Sequence, residues 1–191
     1  MTDEITKQND KIKRTANSNM TLLERYKSRQ LSKNIAIILD LSSSMNCHVE
    51  PGQSRLDVMK QILKSLRLSN SKIYGFNDDA FVVQDITTLK ANGLTYMSKA
   101  FELVKNHGFK DALLLTDGFP SDADDALQSV KGLNLKIMYI GSGDKPEFLD
   151  RLAAVCGSFC TVEDLTRPKE LTTKIQLLLG NSNFEKESIK L

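Results

Sequence analysis

Three short stretches of this chain gather oxygen donors of the kind that hard metal ions accept. Asp40-Leu41-Ser42-Ser43-Ser44 directly follows the apolar run Ile35–Leu39. Asn92-Gly93-Leu94-Thr95 opens a helical pattern, and Thr116-Asp117-Gly118 directly follows the apolar run Ala112–Leu115. Asp40 and Asp117 therefore each end a strand apolar enough to lie near the centre of a sheet. Two carboxylates brought together in a partly desolvated crevice repel, and one protonates unless a cation balances them. Segments 41–54, 93–98 and 117–130 contain no Lys or Arg, so the local sequence offers no cation of its own. A bound divalent ion is the expected substitute. Hydroxyl and carboxylate oxygens suit magnesium, manganese or calcium. The set is too poor in charged donors for a tight calcium cage, which makes magnesium or manganese the expected cofactor.

Other chemistries find less support. A G-x-x-x-x-G-K-[ST] phosphate loop is absent, and Gly141-Ser142-Gly143 has the wrong spacing for a G-x-S-x-G nucleophile elbow. An aspartyl phosphotransferase would want a second Asp where Ser42 stands. The only histidines are His48 and His107, and neither is placed as a base. The expectation is a protein that is not an enzyme. The alternative is a magnesium-dependent hydrolase or phosphotransferase using the same strand-end acidic site. Cys47, Cys156 and Cys160 are read as free thiols, and Cys47 and His48 as surface loop residues. Asp122, Asp124 and Asp125 form an acidic helix first turn that would repel an acidic partner if it faced the site.

The elements that must position these donors follow from periodicity. Continuous apolar runs at Ile35–Leu39, Ala112–Leu115 and Leu135–Ile140 read as buried parallel strands, with a shorter strand at Phe159–Val162. Helical spacing marks Ser54–Arg67, Thr95–His107, Asp122–Lys131 (Ser121 as N-cap), Pro146–Cys156 and Pro168–Leu179, the last stopped by Gly180. Lys72–Phe76 and Ala80–Gln84 read as a hairpin turning at Asn77-Asp78-Asp79. The expected fold is α/β and Rossmann-like: a doubly wound, mainly parallel six-stranded sheet with one antiparallel edge strand and helices on both faces. In such sheets ligands bind beyond the carboxyl ends of the strands at the switch point, where the three donor stretches fall.

The 191 residues suffice for one domain, expected over 33–180. Residues 1–32 read as an extension, disordered to residue 19 and then helical over Met20–Gln30, and 181–191 as a polar tail. The formal net charge of +2 is too small and too evenly spread to argue for nucleic acid. No run has signal-peptide or membrane-span length, so no membrane partner is expected and the chain is read as cytoplasmic.

The pattern D-x-S-x-S, a glycine-associated threonine, then T-D-G resembles the metal-ion-dependent adhesion site of von Willebrand factor A domains. The resemblance covers about residues 33–180, with all five ligand positions in order: Asp40, Ser42, Ser44, Thr95 and Asp117. It implies that Ser42 and Ser44 coordinate the metal directly, and Thr95 directly or through water. Asp40 and Asp117 would act through water or by anchoring the serine hydroxyls. One coordination position would stay open for an acidic residue of a partner protein. Asn92 departs from the family by standing where many members have a first glycine. The stretch Thr116–Asp122 is similar to the intracellular bacterial or phage-like branch, whose members often accompany AAA-type ATPases or stress-response components.

Overall fold

A computed structural model describes residues 34–66, 68 and 71–179. The expected N-terminal extension, Gly180 and the polar tail lie outside the described residues.

Strand β1 (Ile35–Asp40) is buried at all six positions. It pairs in parallel with β4 (Lys72–Phe76) on one side and with β6 (Asp111–Thr116) on the other. Beyond β6 come β7 (Asn134–Tyr139) and β8 (Cys160–Val162), both parallel. Beyond β4 comes β5 (Ala80–Val82), the one antiparallel edge strand. The order β5-β4-β1-β6-β7-β8 gives the expected six-stranded sheet. Two strands escape the sequence pattern, β2 (His48–Glu50) and β3 (Gln53–Ser54), which form a small separate hairpin.

Alternation along β1 divides the core in two. Ile35, Ile37 and Leu39 pack on one face with α1 (Arg55–Ser65) and α5 (Pro168–Leu178). Ala36 and Ile38 pack on the other with α2 (Met97–Asn106), α3 (Ala123–Ser129) and α4 (Glu147–Val155). A strand covered on both faces needs apolar side chains at every position, which is why β1 reads as an unbroken run. Removing one such side chain, as in Leu39→Ala, costs about 2–5 kcal/mol through lost transfer energy and the cavity left behind.

Helix starts are specified locally. Ser54 caps α1: its hydroxyl accepts from the Asp57 amide at 3.2 Å, and the Asp57 carboxylate accepts from the Ser54 amide at 3.1 Å. The cap of α3 differs from expectation. Asp122, not Ser121, is its N-cap residue, and the Ser121 hydroxyl instead accepts from the Thr95 amide at 3.2 Å. His107, which the sequence left without a role, meets the Tyr74 hydroxyl through Nδ1 at 2.9 Å.

Candidate metal centre

The direction of the sheet order reverses between β1 and β6. Their carboxyl ends open the crevice in which Asp40 ends β1 and Asp117 follows β6. Register places Leu39 opposite Leu115, so Asp40 and Thr116 are neighbours. The Thr116 hydroxyl donates to Asp40 Oδ2 at 2.6 Å, and the Ser42 amide donates to Oδ1 at 2.8 Å. Asp40 is fully buried, and burial raises its carboxyl from 3.8 to about 6. Hydrogen bonds from Ser42 and Thr116 pull it partly back, and the Asp117 charge adds a little to the rise.

The two serines face one point. Ser42 Oγ and Ser44 Oγ stand 3.0 Å apart, and Ser44 Oγ donates to Asp117 Oδ1 at 2.7 Å. Adjacent ligands of an octahedral magnesium ion, with bonds of about 2.0–2.1 Å, lie about 2.9 Å from each other. The serine pair has nearly that spacing through the hydrogen bond the two hydroxyls make with each other, and its oxygens are of the type a small hard cation accepts. Among the described residues no cluster of three or more His, Cys, Asp or Glu side chains gathers at one point, so the hydroxyls must complete any shell.

The Thr95 loop is tied to both of the others. Ser43 donates from its amide (3.1 Å) and its hydroxyl (3.0 Å) to the Gly93 carbonyl, and the Asn92 amide donates to the Leu41 carbonyl at 2.9 Å. On the other side the Ser121 amide donates to the Thr95 carbonyl at 2.8 Å. Gly93 adopts φ +73°, and a Cβ there would collide with the Asp78 carboxylate, so glycine is required. Asn92 therefore does not disturb the turn, because the next residue supplies the positive φ. Thr95 is buried, as Ser42 and Asp117 are, and the cap residue of α2 is Tyr96, with no side-chain cap bond. The Asp122 carboxylate takes the Met97 and Ser98 amides, at 3.0 and 2.9 Å. The acidic first turn thus spends its leading carboxylate on a neighbouring helix.

One inference from the sequence is overturned. The crevice does carry a cation of its own: Arg55, one residue beyond the segment found free of Lys and Arg, forms an ion pair with Asp117 Oδ2 through its guanidinium. Its other donors reach the Ser44 carbonyl at 3.4 Å and the Ser142 hydroxyl at 2.6 Å. The pair is buried, with side-chain exposures of 10% for Arg55 and 0% for Asp117. Arg55 stands at the first position of α1, and its side chain turns into the crevice rather than into solvent. Cys47 and His48 are exposed, as expected, and no bond joins them to the serine hydroxyls among the contacts of the described residues.

No family model matches the chain, and no curated protein matches it by sequence. Solved structures match its fold. A von Willebrand factor type A protein from Catenulispora acidiphila aligns at 22% identity with TM-score 0.57, over 76% of this chain and 42% of that one. The chain thus spans less than half the length of that relative. The manganese-loaded TRAP protein of Plasmodium vivax aligns at 18% identity with TM-score 0.60, over 78% of this chain and 74% of that one. An aerotolerance-related membrane protein from Bacteroides fragilis aligns at 16% identity with TM-score 0.54, over 78% of this chain and all of that one. The fold is that of von Willebrand factor A domains. Among the described residues no helix is long and apolar enough to cross a membrane.

Proposed function

We propose that this domain is a divalent-metal-dependent protein-binding module. The observation that carries the reading is the pair of serine hydroxyls held 3.0 Å apart at the switch point, between two buried carboxylates. Ser42 and Ser44 would hold magnesium or manganese directly, with Thr95 contributing from the second loop. Asp40 and Asp117 fix the donors: one orients the Ser42 backbone, the other accepts from the Ser44 hydroxyl. Bound there, the ion would supply a Lewis-acidic position for a carboxylate from a partner protein. The manganese-loaded state of the TRAP protein, which shares this fold, supports a divalent metal.

Catalysis is the weaker reading. Both oxygens of Asp40 and both of Asp117 already accept hydrogen bonds or an ion pair from the protein, which disfavours either as a nucleophile. The proposed setting is the cytoplasm and the proposed partner a protein presenting an Asp or Glu, such as an AAA-type ATPase or a stress-response component; the small formal net charge of +2 supports a protein over nucleic acid. Pull-down from native lysate in magnesium and in chelator tests the module. The reading expects a protein captured by wild type in magnesium only, and not by Ser44→Ala. Capture indifferent to chelator contradicts it.

A further inference from the structure

Away from the metal centre, three large apolar side chains left in solvent gather at the β8 edge of the sheet. Phe159 is 69% exposed, Val162 60% and Leu177 46%. Each alone needs no explanation, because much of any protein surface is apolar. All three line one groove of about 530 Å³ between β8 and the last two turns of α5, and a contiguous apolar patch marks a contact surface. The topology explains why the groove is open. Two helices, α1 and α5, cover one face of the six strands, and three cover the other. Alternation along β7 and its register with β8 put Lys136, Met138 and Thr161 on the two-helix face, and of these only Met138 is buried.

The chain beyond α5 starts at this groove. Leu177 and Leu178 line it, and Leu179 is the last described residue. The sequence continues Gly180-Asn181-Ser182-Asn183-Phe184, so the first apolar residue after the helix stands five positions on. Five extended residues span up to about 17 Å, more than the two helical turns that wall the groove. Gly180 follows the C-cap residue Leu179, the position where glycine commonly reverses a chain at a helix end. Charge on the two sides is complementary. The charged residues lining the groove are Lys136, Glu163 and Lys174, with Lys174 paired to Glu163 at 2.7 Å, which leaves one net positive charge. Glu185, Lys186 and Glu187, directly after Phe184, carry one net negative charge.

Strand pairing is a poorer way to cover this edge. β8 has three residues, a short free edge on which to hold a second copy. A parallel strand added beyond β8 by the chain after α5 would need a left-handed crossover. The reason is that α5 lies on the face opposite α3 and α4, the helices that join β6 to β7 and β7 to β8. We propose that the segment after α5 folds back on its own domain and seats Phe184 in the groove, against Phe159 and Leu177. The contact is made by side chains on the face of the sheet and adds no strand. It does not depend on the metal-dependent reading.

Thermal melting of the full chain in chelator is compared for wild type, Phe159→Ser, Phe184→Ser and the double variant, with sedimentation of each. The proposal expects each single substitution to lower the melting temperature by about 3 °C or more, because each removes half of one buried contact. The double variant should melt within about 1 °C of the lower single variant, since the second substitution has nothing left to break. Without an occupant, Phe159 stays in solvent and its replacement by Ser is nearly neutral. A smaller shift in either single variant therefore overturns the proposal, and so does a double variant in which the two losses add. A wild-type dimer that Phe184→Ser dissociates also overturns it, by placing the segment of a second copy in the groove.

Discussion

Replacing Arg55 by Met removes the one cation that pairs with Asp117 among the described residues while keeping the length and packing of the aliphatic stem. Asp117 then remains buried with a single hydrogen bond, from Ser44, and Ser142 loses its donor. Breaking a buried ion pair by deleting one partner costs about 3–5 kcal/mol. The crevice mouth leaves Arg55 slightly exposed, at 10%, so the lower end, about 3 kcal/mol, applies. For a chain of this size each kcal/mol moves the melting temperature by about 2–4 °C, so Arg55→Met should melt about 6–12 °C below wild type in chelator. Thermal denaturation of wild type, Arg55→Met, Asp117→Asn and the double variant closes a cycle. The double variant should fall well short of the sum, with a coupling of about 1 kcal/mol or more. Magnesium should raise the melting temperature of Arg55→Met by more than that of wild type, since the ion restores the charge the guanidinium supplied. A metal-free Arg55→Met protein melting within about 2 °C of wild type, or a coupling under about 0.5 kcal/mol, would refute the buried-pair argument.

The other expectations concern the same crevice. The Asp40 carboxyl is raised from 3.8 to about 6, so the folded state holds that proton more tightly than the unfolded state. Its stabilising effect is complete below about pH 4 and lost as pH rises through about 6, a change of about 3 kcal/mol. In metal-free melts, wild type should therefore fall progressively below Asp40→Asn between pH 4 and pH 7, and a constant difference would argue against a raised value. Asp122→Ala should lower stability by about 1 kcal/mol, because the first two amides of α2 lose their acceptor, and denaturant titration measures this. Thr95→Ala should leave the melting temperature nearly unchanged, since its hydroxyl caps nothing, yet weaken capture of whatever protein wild type retains in magnesium; retained capture would remove Thr95 from the site.

Strands and helices were legible because a doubly covered sheet writes itself as unbroken apolar runs, and its helices as one buried stripe each. That the five candidate donors stand at strand and helix ends was legible, because short-range spacing carries that signal. Arg55 was not. A search of the loops ends at Ser54, and only the direction in which α1 leaves its capping box turns the first helical side chain into the crevice. Thr116 lay within a recognised motif, but its bond to Asp40 depends on the β1–β6 register, which no local pattern reveals. Ser142 arrives on the loop after β7, and Asp122 caps a helix other than the one it precedes; both are long-range facts. The β2–β3 hairpin, three residues against two, is too short to show any period.

The central claim is that the paired serine hydroxyls, backed by Asp40 and Asp117, bind one divalent ion. Calorimetric titration of manganese into wild type and Ser44→Ala tests it most directly. Ser44→Ala removes one hydroxyl of the pair and the donor to Asp117, while touching no part of the apolar core. The account predicts one manganese per chain in wild type and no measurable binding in Ser44→Ala, with both proteins folded. Absence of binding by wild type at millimolar manganese, or wild-type affinity in Ser44→Ala, would contradict it.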